Sequence, residues 1–237
     1  MHQLSQKFLI FAVDIFYKKT KKMIEIQDWG LIDYNEAWAR QKEISADIQK
    51  KRDRNVLVLC EHPTVLTIGR SGGAENILMK PDFLKQMGVE IVEINRGGDV
   101  TMHNPGQLVG YPIFNLSSFK QDLHWFLREI EESLIDIIAH WGLKGGRVPG
   151  LTGVWLEEKR KIAAIGLHCS RWVTSHGFAL NVINNLFEFS YIVPCGITDK
   201  AVTSISQETG TKVDMDEVKN VCIKVFENRF VRNFANK

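Results

Sequence analysis

The segment Arg96-Gly97-Gly98-Asp99-Val100-Thr101-Met102-His103-Asn104-Pro105-Gly106-Gln107-Leu108-Val109-Gly110-Tyr111 constrains the fold more than any other part of this chain. Apolar runs flank it, Val89–Ile94 before and Leu108–Leu116 after, so it reads as a loop slung between two strands. The paired glycines carry no Cβ and let the backbone approach a ligand closely. Arg96, Thr101, His103 and Gln107 add a fixed cation, a hydroxyl, an imidazole and an amide within one short span. An ordinary structural turn is the competing reading. Few turns need four different polar functions so close together, however, and binding groups favour loops held on rigid scaffolds.

Strand and helix signals surround this segment. Ile24-Glu25-Ile26, after Met23, reads as a first strand. Asp33 with Glu36 resembles a capping box, ahead of a helix predicted from Tyr34 to about Lys51. Strands are predicted at Val56–Cys60 and Val65–Ile68, on either side of Glu61-His62-Pro63-Thr64, followed by a second glycine-rich loop, Gly69–Gly73. A short helix is expected from near Pro81 to Gly88. Ser118 is expected to begin a long amphipathic helix, with Leu123, Phe126, Leu127, Ile130, Leu134, Ile138 and Trp141 at helical spacing. Those aromatic residues read as core rather than as a cofactor box. Further strands are predicted at Gly153–Leu156, Lys161–His168 and Gly177–Val182, and a last helix over Met215–Phe230 with Cys222 on its apolar face. Strands and helices mix without strict alternation. The expected fold is therefore α/β of the α+β type: one domain, with a mixed sheet and flanking helices rather than a doubly wound parallel sheet.

Composition narrows the class. A chain of 237 residues, 44% hydrophobic and 24% charged, fits one globular domain. A net charge of +2 argues against nucleic acid as a partner, and for Lys159 and Arg160 a solvated turn is favoured. Phe8–Tyr17 is apolar but contains Asp14, and its lysines follow the run instead of preceding it. That is neither a secretory signal nor a bilayer span, so no membrane association is expected. Residues 1–22 are expected to be an extension outside the fold, and 23–237 the domain itself. Cys60, Cys169, Cys195 and Cys222 form no CxxC pair, so no metal site is expected, and reduced thiols in a cytoplasm are.

Two other segments carry reactive groups. Lys161-Ile162-Ala163-Ala164-Ile165-Gly166 puts a lysine at the head of a small, apolar strand. Pro194-Cys195-Gly196-Ile197 sets a cysteine between a rigid and a permissive residue. A nearby ammonium favours the thiolate, and a Cys–Lys dyad would suit acyl transfer. Spacing alone does not pair them. Each taken alone has a plainer reading, Cys195 as a structural thiol and Lys161 as a surface strand-end residue.

In combination these segments resemble the lipoyl(octanoyl) transferase family. The resemblance rests on Glu61–Arg70, on Arg96-Gly97-Gly98 through Gln107, on Lys161–Gly166, on His176-Gly177-Phe178-Ala179-Leu180-Asn181-Val182 and on Pro194–Ile197, and it covers roughly Ile24 to Ile205. It implies the fold of the biotin/lipoate protein ligase catalytic domain. It implies octanoyl-acyl carrier protein as donor, and as acceptors the lipoyl domains of 2-oxo acid dehydrogenases and the glycine-cleavage carrier protein, with no cofactor. It also implies that Cys195 carries the acyl group as a thioester, while Lys161 lowers the thiol pKa and moves protons. The substrate-binding residues it carries over are Arg96, Gly97, Gly98, Asp99, Val100, Thr101, Met102, His103, Ala164, Ile165, Gly166, Gly177, Phe178 and Ala179. Met102 stands where the family usually has tyrosine, and Asn104 where glycine is common; Asn tolerates φ > 0, so the loop can keep its path.

Ile162, Ile165 and Phe178 are expected to line an apolar slot for an eight-carbon chain. His103 and His176 are either substrate contacts or hydrogen-bonding braces. His62 reads as structural, and His168 and Cys169 as packing residues. An ATP-dependent lipoate or biotin ligase shares such a scaffold but needs no nucleophilic thiol, so Pro194-Cys195-Gly196 argues against it. Lys161 and Cys195 together argue against a non-catalytic binder of lipoyl domains.

Overall fold

Two strands with almost no exposed side chains form the middle of the molecule, β2 (Asn55–Glu61) and β6 (Gln107–Ile113). Strands buried along their whole length need cover on both faces. They pair antiparallel within an eight-stranded sheet. Across that sheet run β1 (Ile24–Leu31), β2, β6, β10 (Val173–Asn181), β9 (Arg160–Ser170), β8 (Leu151–Leu156) and β7 (Gly145–Val148), with β11 (Ala201–Val202) against β9. The β1–β2 and β9–β11 pairs are parallel and the others antiparallel, so the sheet is mixed, as the lack of strict alternation predicts. A second sheet holds β4 (Glu90–Glu93), β3 (Val65–Ile68) and β5 (Val100–His103). The computed structural model describes residues 24–193 and 200–235; the expected extension, residues 1–22, and Pro194-Cys195-Gly196-Ile197 lie outside the described residues.

Helix α1 (Tyr34–Lys51) covers one face, packing Ala37 and Ile48 on Val56, Val58 and Val109. Its start is the predicted one, because Asp33 accepts a hydrogen bond from the Glu36 N–H at 3.0 Å. Helix α2 (Pro81–Gln86) buries Leu84 against the small sheet. Helices α3 (Leu123–Ala139) and α5 (Met215–Ala235) cover the other face. There Phe126, Phe226 and Phe230 meet Leu57, Leu108 and Phe178, and Cys222 is fully buried as its spacing implies. A short α4 (Ile205–Thr209) precedes α5. Among the described residues no helix is long and apolar enough to cross a membrane.

Several elements differ from expectation, among them β11 and α4, which have no predicted counterpart, and β10, which begins earlier than predicted. The long helix begins at Leu123 and not at Ser118, because Asp122 is its cap, accepting from the Trp125 N–H at 3.0 Å, and Leu116–Ser118 forms a separate 3₁₀ turn. The segment from Arg96 to Gln107 is not one loop: Val100–His103 pairs with Val65–Ile68 as β5. β7 has no counterpart in the predicted elements, since its Gly145-Gly146 start carries no apolar pattern and pairing with β8 supplies its order.

Candidate functional site

A cavity of about 570 Å³ lies where β5, β9 and β10 converge. One wall is the backbone before β5. Arg96 is only 7% exposed; its Nη2 donates to the Thr67 carbonyl (2.7 Å) and hydroxyl (2.9 Å), and its Nη1 to the Gly97 carbonyl (3.1 Å). The guanidinium thus braces the loop from within. The Gly97 N–H donates to the Leu167 carbonyl at 2.9 Å, which docks the loop on β9. The approach is close: a Cβ on Gly166 would stand 2.8 Å from the Gly97 carbonyl oxygen and 2.9 Å from Arg96 Cδ. Asp99 ties the same loop to the second glycine-rich segment through its carbonyl, which accepts from the Gly69 N–H at 3.3 Å, and its carboxylate accepts from Val100 N–H and from Asn76 Nδ2, both at 2.6 Å. The Ser71 N–H donates to the Gly98 carbonyl at 3.2 Å.

The adjoining wall is β9. Trp155 of β8 pairs with Lys161 and Val154 with Ala163, so Ile162 is an extra residue, a bulge. Lys161 lines the cavity, with Nζ 4.8 Å from the centre of the Trp155 ring. A glycine makes room for its stem: a Cβ on Gly153 would lie 3.1 Å from Lys161 Cε and 2.5 Å from the Ala163 carbonyl oxygen. Glu131, fully buried on α3, accepts the Gly153 N–H at 3.1 Å and the Arg147 Nε at 2.6 Å, which fixes that corner.

Two neutral imidazoles stand in the lining. Burial, reinforced by the nearby His62 and Arg96, pushes His103 down to about 3. Its Nδ1 lies 2.8 Å from Gln107 Oε1, and its ring stacks on Tyr34 with centroids 5.7 Å apart. Burial, and then Arg96, depresses His176 to about 3 as well. Its Nε2 meets Asn95 Oδ1 at 2.8 Å, and Nδ1 has no hydrogen-bond partner among the described residues. His62 is a brace: Nδ1 donates to the Ile32 carbonyl and Nε2 accepts from the Tyr111 hydroxyl, both at 2.7 Å. Burial of Cys60, Cys169 and Cys222 raises their thiols, so all three are held protonated.

The structure brings Arg96, Gly97, Gly98, Asp99, Val100, Thr101, His103, Lys161, Ala164, Ile165, Gly166, Gly177, Phe178 and Ala179 into the one lining. Two expected residues are not there. Met102 is fully buried with Leu66, Val89 and Phe189, on the face of β5 turned away from Thr101 and His103; Val100, at the start of the strand on that same face, still reaches the lining. Ile162 joins the core with Leu134 and Phe226, because the residue next to Lys161 on the strand turns to the far face. Cys195 lies outside the described residues. Tyr34, Ser71, Tyr111, Leu123, Leu127 and Thr152 also line the cavity without having been singled out as binding residues. The paired glycines around Ser71 are a signal for that one; the others line it by tertiary packing.

Residues 33–227 match the family described as the lipoyl protein ligase A/B catalytic domain. An octanoyltransferase of Cytophaga hutchinsonii is 49% identical over 93% of this chain and 98% of its own length. Among solved structures, a bi-partite lipoate protein ligase from Thermoplasma acidophilum is similar with a TM-score of 0.66 at 19% identity, over 87% of this chain and 84% of that one. A biotin protein ligase from Aquifex aeolicus is similar with a TM-score of 0.53 at 14% identity, over 91% and 73%. At these identities the two structures bear on the fold alone, and the fold is the expected one.

Proposed function

From membership of the lipoyl protein ligase A/B catalytic-domain family, to which this chain belongs, we propose that it moves an octanoyl group from octanoyl-acyl carrier protein to a specific lysine of lipoyl domains through a thioester on Cys195. The chain is an acyltransferase that serves protein lipoylation. The acceptors in this proposal are the lipoyl domains of 2-oxo acid dehydrogenases and of the glycine-cleavage carrier protein, and the setting is the cytoplasm.

One observation carries the proposal: a single cavity gathers the Arg96–Thr101 backbone, Lys161 and an apolar surface from Leu123, Leu127, Ile165 and Phe178. An acyl chain lying on that surface gains about 0.8 kcal/mol per buried CH₂, so length is selected by fit. The other three cysteines are held protonated by burial, which leaves Cys195 as the thiol suited to attack.

The Cys195 thiolate attacks the carbonyl carbon of the donor thioester. A C–S bond forms to the enzyme, the bond to the carrier's thiol breaks, and that thiolate leaves and takes up a proton. The acceptor lysine amine then attacks the Cys195 thioester: a C–N bond forms, the C–S bond breaks, and the amine loses its proton. Lys161, the ionisable side chain on the β9 wall, favours the thiolate as a cation and can pass the amine's proton to the departing sulfur.

Intact-mass analysis after mixing with octanoyl-carrier protein in ATP-free buffer tests this. The expected result is an octanoyl adduct on the enzyme, then transfer to an added lipoyl domain. Cys195→Ala is expected to lose the adduct while keeping the fold. Lys161→Ala is expected to slow acylation, and Lys161→Arg to restore thiol alkylation by iodoacetamide better than it restores transfer. A strict need for ATP, or an adduct on Cys195→Ala that hydroxylamine removes, would overturn the proposal.

A further inference from the structure

Behind the cavity runs a line of buried side chains that the proposed chemistry does not use. The His103 Nδ1–H donates to Gln107 Oε1 (2.8 Å), Gln107 Nε2 to Asn181 Oδ1 (2.8 Å), and Asn181 Nδ2 to the Thr203 carbonyl (2.9 Å). The Thr203 N–H then donates to the Lys161 carbonyl (2.9 Å). All four bonds point the same way, from a lining imidazole to the peptide of the lining lysine. The first three bonds run through the single amides of Gln107 and Asn181 and so polarise one another; the fourth starts from a separate peptide group and ties the line to β9 mechanically.

The directions follow from elimination. Gln107 spends its amide hydrogens on Asn181 Oδ1 and the Met102 carbonyl, so only its oxygen faces His103. Nδ1 must therefore carry the proton, and Nε2 is the bare nitrogen. Asn181 likewise accepts from Gln107 and from Asn184 Nδ2 (3.2 Å), so its own amide hydrogen goes to Thr203. Thr203 is fully buried, and its hydroxyl donates to Glu208 Oε1 at 2.6 Å. Glu208 in turn holds Arg160, the neighbour of Lys161, at 2.7 Å. β11 has only two residues and cannot hold itself beside β9. Asn181 and Glu208 hold Thr203, the residue that follows β11, in place.

We propose that Gln107 and Asn181 are positioning residues: they fix His103 as the Nδ1–H tautomer and seat the β11 edge against the strand that carries Lys161. Neither lines the cavity, so their effect on substrate passes through His103 and Lys161. The inference deepens the transferase proposal and rests on it.

Asn181→Asp keeps shape and acceptors but loses the hydrogen donated to Thr203. It is expected to lower kcat for transfer about tenfold or more, as misplaced reacting groups do, with KM for the octanoyl-carrier protein unchanged within about twofold. Gln107→Glu still accepts from His103 but puts a carboxylate beside it. Its transfer rate is expected to gain an acid limb near neutral pH, where protonation of His103 becomes favourable. Nitrogen-15 NMR of the wild-type protein reads the tautomer without any substitution, and a neutral Nδ1–H ring at pH 7 is expected. An Nε2–H ring, an unchanged kcat in a folded Asn181→Asp, or a loss of affinity at constant kcat would each overturn the proposal. Wild-type protein in the same assay separates the two claims: if it moves no octanoyl group the transferase proposal falls, and the tautomer still decides the network.

Discussion

Three histidines buried as neutral rings make stability depend on pH in a calculable way. In the folded chain His62 is depressed to about 4, and His103 and His176 to about 3, in each case chiefly by burial. An unfolded histidine titrates near 6.5. Between those values the unfolded chain binds protons that the folded chain refuses, so stability is full above about pH 6.5 and falls as the pH drops through it. At pH 5 each unfolded imidazole gains about 2 kcal/mol from protonation, and the three together about 6 kcal/mol, which rivals the whole stability of many domains. The size is set by the unfolded imidazole, so any folded value below about 4.5 gives nearly the same loss. Glu208, held low by its hydrogen bond from Arg160, contributes only below its ordinary carboxylate range, so pH 6.5 to 5 isolates the histidines. His168, which partial burial also depresses, acts in the same direction. Urea unfolding followed by tryptophan fluorescence at half-unit pH steps measures this. Near pH 5.5 the three buried rings are expected to contribute about 2.7 protons to the slope. His62→Gln, which can still donate to Ile32 and accept from Tyr111, is expected to reduce it by about one. A slope below about one proton would refute the claim that these rings are buried and neutral.

Further outcomes are expected from single changes. Asp122→Ala removes the cap of α3, and the urea midpoint should show a loss of about 1 kcal/mol with activity kept. Gly166→Ala drives a Cβ against the Gly97 carbonyl and Arg96 Cδ, so the loop must lift from β9; overpacking of this kind costs about 1–3 kcal/mol, and KM for the octanoyl donor should rise. A chain beginning at Met23 should keep both its melting temperature and its activity, and a large drop in either would show that residues 1–22 contribute to the domain.

How far the sequence can be read depends on whether a signal is local. Helix α1 announces itself through Asp33 and Glu36, and its observed bounds are the predicted ones, because a cap and its partner lie within one turn. α3 has an equally local cap in Asp122, yet the apolar spacing carries attention back to Ser118, where a 3₁₀ turn stands instead. The glycine-rich wall is legible because the need for a missing Cβ is written in the residue itself. Tyr34, Leu123 and Thr152 are not legible as lining, since each belongs to an element whose own pattern gives another reason for it. What brings them to one cavity is the packing of two helices and a strand around it, and no spacing records that.

The bulge at Ile162 shows where pattern reasoning on a strand must fail. Strict alternation from Lys161 would place Ala163 and Ile165 with it and send Ala164 and Gly166 to the far side. Instead Ile162 and Ala163 both enter the core, and the residues beyond them line the cavity beside Lys161. One inserted residue flips the register of everything after it. The signal for the insertion lies on the partner strand. Gly153 stands next to Val154, the partner of Ala163, with φ of 122°, a geometry that a residue with a side chain rarely adopts. A glycine inside a strand marks such a bend. Read together, Gly153 and the small residues Ala163-Ala164 predict a kinked pair of strands rather than a straight one. The kink is what lets a lysine and a flat backbone surface share one side of β9.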